Sequence, residues 1–148
     1  MTRGAFLRSG LLTLGLATSG AAIAQPAPDG AVAAQVSEEI THHLGRSDMD
    51  VALRSIGGAM KSEATAQSLK GSLQAIKGFG KNQYTDRVYA RDYGRSNKDI
   101  IDKLNFDNST VYVRYLFSVE EGEWRLINFA FKTETSLPFP KEWTHIYP

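Results

Sequence analysis

The C-terminal half of the chain alternates aromatic and β-branched residues over long runs that are separated by short turn signals. This pattern suits a pleated, half-buried surface and predicts four strands, at about 82–93, 97–106, 109–120 and 123–133. The acidic sequence Glu-Glu-Gly-Glu at 120–123 marks the last hairpin, and connections this short join antiparallel neighbours. We therefore expect a strongly curved, four-stranded antiparallel meander. A helix at 97–104 stays open as the alternative to the second strand.

Three stretches before the strands carry apolar residues at helical spacing, at about 30–44, 47–60 and 63–77. Ser47 followed by Asp50 resembles a capping box and would open the second helix. Gly57 and Gly58 would shorten or break that helix, since glycine weakens a helix interior. Each apolar stripe is narrow, which indicates that one side of each helix packs on the sheet. The predicted fold class is α+β, with three N-terminal helices packed on a curved four-stranded antiparallel meander.

The third predicted strand, 109–120, carries apolar side chains on both of its faces. Alternation places five of them on one face: Val111, Val113, Tyr115, Phe117 and Val119. Tyr112, Leu116 and the aliphatic part of Arg114 point the other way. A sheet with one solvated face would alternate between apolar and polar residues. We therefore expect the second face to be covered, either by the C-terminal residues or by another subunit.

The first 24 residues have the pattern of a secretory signal peptide. Arg3 and Arg8 form a basic start, an apolar stretch follows, and Ala-Ile-Ala at 22–24 is a small-x-small cleavage site. The apolar stretch is shorter than the roughly 20 residues that span a bilayer. We expect cleavage after Ala24 and a periplasmic or secreted protein without membrane attachment.

The remaining chain divides into three predicted parts. Residues 25–30 are rich in Pro, Asp and Gly and predict a flexible mature N-terminus. Residues 31–133 are predicted to form one α+β domain. Residues 134–148 form a tail with three prolines and three aromatic residues, which we expect either to pack on the sheet or to bind a partner.

Charge and cysteine content exclude several classes of function. Removal of residues 1–24 takes away two arginines and no acidic residue, so the formal charge moves from +1 to −1. A near-neutral chain lacks the basic face with which proteins bind nucleic acid or anionic membranes. The chain has no cysteine, which excludes disulfides, thiol catalysis and thiolate metal sites. The domain must therefore be held together by packing alone.

The second half of the chain resembles the final part of small bacterial exported domains. The resemblance is carried by the predicted helix and strand at 69–93, by VRYLF at 113–117 and by WRLINFAF at 124–131. These domains form part of the nuclear transport factor 2-like, or cystatin-like, superfamily, and the resemblance covers residues 63–133. It implies a cone-shaped domain whose bent sheet wraps the helices, often around a cavity, and a homodimer formed through the outer face of the sheet. Exported members include uncharacterised and auxiliary binding proteins, and some superfamily members are isomerases, dehydratases or hydrolases.

The sequence contains no nucleophile motif, phosphate loop, dinucleotide fingerprint or metal-ligand spacing, so no catalytic residue, cofactor or metal site is predicted. His42 and His43 project about 100° apart on a helix and cannot enter one site together. Polar residues held within apolar strands and large aromatic residues are the candidates for binding a ligand. These candidates are Arg114, Asn128, Trp124, Tyr84 and Tyr89.

Several carboxylates fall on predicted strands. Asp86 shares a face with Tyr84, and the alternating charges favour cross-strand ion pairing of Asp86 at the surface. If the domain is an enzyme, the acid/base candidates are Asp86, Tyr84 and Tyr89. Asp99 and Asp102 are flanked by lysines, and we expect both to form solvated ion pairs at the surface.

The leading functional hypothesis is an exported, non-catalytic domain that binds a small molecule, a peptide or an envelope protein as a homodimer. One alternative is a small cofactor-free enzyme with its acid/base residues inside the cone. Another is a structural factor in envelope assembly, which needs no cavity.

Overall fold

The structure is a computed structural model that describes residues 28–134. The predicted signal peptide, the first residues of the mature N-terminus and residues 135–148 of the tail lie outside the described residues. The chain forms, in order, α1 (Ala31–Gly45), α2 (Met49–Met60), α3 (Glu63–Ser68), α4 (Lys70–Gln74), a 3-10 helix (Ala75–Phe79), β1 (Asn82–Tyr93), β2 (Asn97–Phe106), β3 (Thr110–Glu120) and β4 (Glu123–Glu134). No helix within residues 28–134 is both long and apolar enough to cross a membrane.

The four strands form one antiparallel sheet in the order β1-β2-β3-β4, which confirms the predicted meander and the α+β fold class. The alternative helix at 97–104 is wrong. These residues pair with β1 on one side and β3 on the other, and Ile100 and Ile101 are fully buried on opposite faces. A central strand that is covered on both faces overrides the helical pattern of a local sequence.

The segment predicted as one helix at 63–77 is divided. Ser62 caps α3 by accepting a hydrogen bond from the backbone N–H of Thr65, and the chain is interrupted at Leu69 before α4 begins. Gly71 lies within α4, where glycine weakens a helix, and the chain continues as a 3-10 helix. The apolar side chains of this segment are still buried against the core, so the predicted stripe is retained.

The predicted capping box at Ser47 and Asp50 is wrong. Ser47 has a φ of 59°, in the left-handed region, and its backbone N–H bonds to the carbonyl of Leu44 at the end of α1. The next N–H, from Asp48, bonds to the carbonyl of His43. Ser47 therefore ends the first helix rather than opening the second.

Gly57 and Gly58 do not break α2, which continues to Met60. A Cβ built on Gly57 would lie 3.3 Å from the Cβ of Ala66 and would touch Glu63. A Cβ on Gly58 would meet nothing within 4 Å. Gly57 thus allows α2 and α3 to approach closely, whereas Gly58 occupies a position with room for a side chain.

The helices cover one face of the sheet, which we call the inner face. The five predicted side chains of β3 lie on it, and four of them are buried in the main core with residues of α1, α2 and the shorter helices. The opposite face, the outer face, carries a smaller cluster of Ile101 and Tyr112, against which Val88, Tyr89 and Ala130 pack. Both faces of β3 are therefore apolar, as predicted. What else covers the outer face stays a prediction.

Candidate functional site

A bulge in β1 determines which of its side chains reach the helices. Arg87 pairs with Asp102 of β2, whereas Tyr89 pairs with the adjacent Ile101, so the register shifts between them. One extra residue in a strand reverses the alternation of side chains beyond it. Arg87 therefore faces α1 from the inner face, while Tyr89 lies on the outer face.

Asp102 holds a buried carboxylate at the junction of α1 and the sheet. Its side chain is 3% exposed, and it accepts hydrogen bonds from Arg87 Nε to Oδ1 (2.8 Å) and from Arg87 Nη2 to Oδ2 (3.2 Å). A third bond comes from the Thr41 hydroxyl to Oδ2 (2.7 Å). A buried carboxylate requires this kind of pairing, because its desolvation is otherwise very costly.

Thr41 connects this ion pair to Tyr115 on β3. The Thr41 hydroxyl donates its one hydrogen to Asp102, so the phenol of Tyr115, 2.7 Å away, must donate to Thr41 Oγ1. Burial raises the pKa of Tyr115 far above its usual range, and the fully buried phenol stays neutral. Tyr115 is therefore a fixed hydrogen-bond donor in this chain of contacts.

Ser37 fixes the other side of the Arg87 guanidinium. Arg87 Nη2 donates to Ser37 Oγ (2.9 Å), and Ser37 donates in turn to the carbonyl of Ala34 in α1 (2.8 Å). The hydrogen bond to Asp102 raises the pKa of Arg87, so the guanidinium stays charged. Of its five N–H groups, the two on Nη1 donate to no residue in the described part of the chain.

A cavity of about 450 Å³ lies between α1 and the first two strands, and we call it the α1–β1 cavity. The strands contribute Asn82, Thr85, Arg87 and Asp102 to its wall. The Asn82 amide donates from Nδ2 to Thr85 Oγ1 (2.9 Å), while its buried Oδ1 has no hydrogen-bond partner within residues 28–134. On the strand side, the guanidinium therefore has unused donors, whereas the unused Asn82 oxygen is shielded from solvent.

The helix side of the α1–β1 cavity is formed by successive turns of α1. Three exposed residues lie one turn apart at its mouth: Glu38, His42 and Arg46, which follows the helix. Thr41 also lines this wall and is buried. Gly45 completes this wall, and a Cβ built there would lie 2.8 Å from Asn82 Nδ2. A glycine at this position therefore keeps the space between α1 and β1 open.

The prediction that Asp99 and Asp102 form solvated surface pairs is wrong. Both carboxylates are buried, Asp99 at 1% and Asp102 at 2% exposure, although each has an arginine partner. Arg114 holds Asp99 on the outer face with two bonds, Nε to Oδ1 (3.0 Å) and Nη2 to Oδ2 (2.6 Å). The two aspartates lie three positions apart on one strand and therefore point to opposite faces.

The five predicted ligand-binding residues do not line the α1–β1 cavity. Four lie on or near the outer face. Arg114 binds Asp99 there, and the hydroxyl of Tyr89 lies 3.0 Å from that of Tyr93. Tyr84 and Asn128 are exposed. Trp124 is half-buried against the main core, and its indole N–H donates to the carbonyl of Pro28 (3.3 Å).

Asp86, the candidate base of the enzyme alternative, lies at the surface, as the charge pattern favours. It is exposed and pairs across the sheet with Lys103 of β2, on the outer face with Tyr84. Thr85 and Arg87 turn inward on either side of Asp86, and the bulge after Arg87 brings Tyr89 to the outer face as well. The three residues named for the enzyme alternative therefore lie outside the cone.

One feature of the sequence indicates the residues that do build the site. The buried face of α1 comprises Ala33, Ser37, Ile40, Thr41 and Leu44, and two of these are hydroxyl residues four positions apart. Val32, an apolar residue of the helix predicted at 30–44, is 47% exposed. Two hydroxyls at helical spacing within an apolar stripe indicate that polar groups on the facing element require partners.

The cavity supports binding more directly than proton transfer or metal coordination. Both oxygens of Asp102 accept hydrogen bonds, so the carboxylate is not placed to take a proton from a ligand. Within residues 28–134, no cluster of three or more His, Asp and Glu residues has the arrangement to hold a metal ion. The unused groups at the cavity include the Nη1 donors of Arg87, whose guanidinium is held in position by Asp102 and Ser37.

Comparison with protein-family models and with curated proteins finds no match. Among solved structures, the chain is similar to an NTF2-like protein of unknown function from Shewanella baltica, with 8% sequence identity and a TM-score of 0.42. The match covers 73% of this chain and 98% of the Shewanella protein. A likeness of this degree does not identify a ligand or a reaction.

Proposed function

We propose that the chain is a non-catalytic domain that binds a small polar molecule in the α1–β1 cavity. The observation that carries this proposal is the buried network of Ser37, Thr41 and Asp102, which holds the Arg87 guanidinium in one position at the cavity wall. Binding sites combine a concave volume with a few polar groups of fixed orientation, and this cavity has both. Its volume lies within the range of known ligand sites, about 300–1,000 Å³.

The proposal can be tested by NMR on the isotope-labelled protein. We expect at least one compound from a panel of small acids, amines, amino acids and sugars to shift the amide resonances of residues 38–46 and 82–87. Gly45→Ala should weaken that binding, because the new methyl group would enter the space next to Asn82. Gly58→Ala is the matched control, since its methyl group would meet nothing within 4 Å. Shifts confined to the outer face, or equal effects of both substitutions, would contradict the proposal.

The buried carboxylate at the cavity wall is the one observation that favours a small cofactor-free enzyme instead. Asp102 reaches Tyr115 through Thr41, which would give a proton path if a ligand displaced Arg87 from one carboxylate oxygen. The same NMR titration distinguishes this alternative. An enzyme would produce new ligand resonances over time, and Asp102→Asn would abolish them.

We also propose that the chain acts outside the cytoplasm after cleavage at Ala24. The support is the basic, apolar and small-x-small pattern of residues 1–24, together with a chain that lacks cysteine. An exported domain of this kind would depend on its helix-on-sheet core for stability.

A further inference from the structure

We infer that the ligand of the α1–β1 cavity is a small zwitterion, a molecule of amino-acid or dipeptide size that carries both an ammonium and a carboxylate group. This inference rests on the proposed function of the cavity as a binding site. It follows from which charged and polar groups at the cavity wall are already paired and which are not.

The groups that would receive a carboxylate are two arginines. Arg87 retains two N–H groups on Nη1, and its side chain is one-third exposed, so this edge is accessible from the cavity. Arg46 lies at the mouth, where its only ion pair in the described part of the chain is an exposed contact of 3.4 Å with Asp48. Arginine donors in a fixed plane suit the two oxygens of a carboxylate.

The group that would receive an ammonium is the carboxylate of Glu38, which is exposed at the cavity wall. Glu38 forms no ion pair within residues 28–134, and its charge contributes to the raised pKa of Arg87, which indicates that the two groups are close. An ammonium carries three donors and could bond to the oxygens of the Glu38 carboxylate.

The charge balance of the cavity disfavours ligands of a single sign. Asp102 pairs with Arg87, so an anion alone would meet little net positive charge there and would approach the unpaired carboxylate of Glu38. A cation alone would approach Arg46, whose one ion pair in the described part of the chain is an exposed contact with Asp48. A ligand with one group of each sign complements both sides, and like-charge contacts select against the others.

The volume limits the size of the ligand as well as its charge. A cavity of about 450 Å³ is larger than the two charged groups of an amino acid require. Room is left for a side chain or for a second residue. His42 and Thr85 at the wall add polar surface for that additional part.

The inference is tested by titrating the labelled protein with L-alanine, glycylglycine, sodium acetate, methylammonium chloride and glucose at neutral pH and low salt. We expect the two zwitterions to shift the amides of residues 38–46 and 82–87, and the other three compounds to leave them unchanged. Glu38→Gln should weaken zwitterion binding about tenfold, the usual effect of losing a charged hydrogen-bond partner. Glu39→Gln is the matched control, because its carboxylate is on the same helix but accepts from Ser55.

The outcomes separate the ligand class from the function of the cavity. If acetate, methylammonium or glucose binds these amides as strongly as the zwitterions do, the zwitterion inference is overturned while the cavity remains a binding site. If neither zwitterion shifts any resonance at millimolar concentration, the inference is overturned as well, and the wider panel then tests the cavity itself. Equal weakening by the two glutamate substitutions would also overturn it.

Discussion

Replacement of Arg87 by methionine should lower the free energy of unfolding by about 3 kcal/mol, because it leaves the buried Asp102 carboxylate without its counter-ion. Methionine retains most of the apolar stem of arginine, so the loss reports on the charge rather than on packing. Of the three hydrogen bonds to Asp102, only that from Thr41 would remain.

The size of this effect follows from the burial of the two partners. Removal of one member of a buried ion pair costs about 3–5 kcal/mol. Asp102 is nearly fully buried, which places the pair in this class, but the Arg87 side chain is one-third exposed and water can partly replace it. We therefore expect the lower end of the range. If Asp102 is also replaced, in Arg87→Met/Asp102→Leu, about 1 kcal/mol or more should be regained, because no uncompensated charge is left.

The assay is urea unfolding at pH 7, followed by circular dichroism, with the denaturant slope compared between variants. Arg91→Met is the matched control on the same strand. Its guanidinium is exposed and lies 5.2 Å from the ring centre of Tyr93, a contact worth about 0.5–1 kcal/mol. The reasoning is refuted if Arg87→Met is no more destabilising than Arg91→Met, or if the double variant is less stable than Arg87→Met alone.

Three further predictions concern the phenol, the assembly and the N-terminus. Burial raises the pKa of Tyr115, so the folded state holds this proton more tightly and stability should fall as the pH rises above about 10. Urea midpoints measured up to about pH 11 should fall less steeply in Tyr115→Phe, and equal slopes would contradict the buried phenol. Light scattering of residues 25–148 should give twice the monomer mass if the outer face forms the expected homodimer, whereas a concentration-independent monomer would exclude it. N-terminal sequencing of the exported protein should begin at Gln25, and a chain that retains residues 1–24 would disprove cleavage.

The strands could be predicted from the sequence because each depends on a local pattern. Long alternating runs and short acidic or Asn-containing turns define β1 to β4 to within about one residue at each end. The buried face of α1 does not follow from its apolar residues alone. Its most apolar stripe includes Val32, but the buried face includes Ser37 and Thr41, because the facing polar groups of the sheet draw these hydroxyls inward.

The site could not be predicted because it depends on a register shift. Strict alternation places Arg87 on the same face as Tyr89, and only the bulge separates them. No turn residue or glycine in this part of β1 marks the bulge. The burial of Asp102 could not be predicted either. Its neighbour Lys103 suggests a solvated strand, and its ion-pair partner, Arg87, lies on another strand.

The paired aspartates of β2 also have a consequence for how the sheet selects its own pairing. Arg87 of β1 holds Asp102 on the inner face, and Arg114 of β3 holds Asp99 on the outer face. A slip of β2 by one residue would move Asp99 into the apolar interior and Asp102 away from α1, each without its arginine. Either direction of slip would bring one carboxylate without its counter-ion to a fully buried position, that of Ile100 or Ile101, and would be strongly disfavoured. The two ion pairs therefore act as independent checks on the two hairpins, and they add to the cost of moving Leu104 and Phe106 of β2 out of the main core.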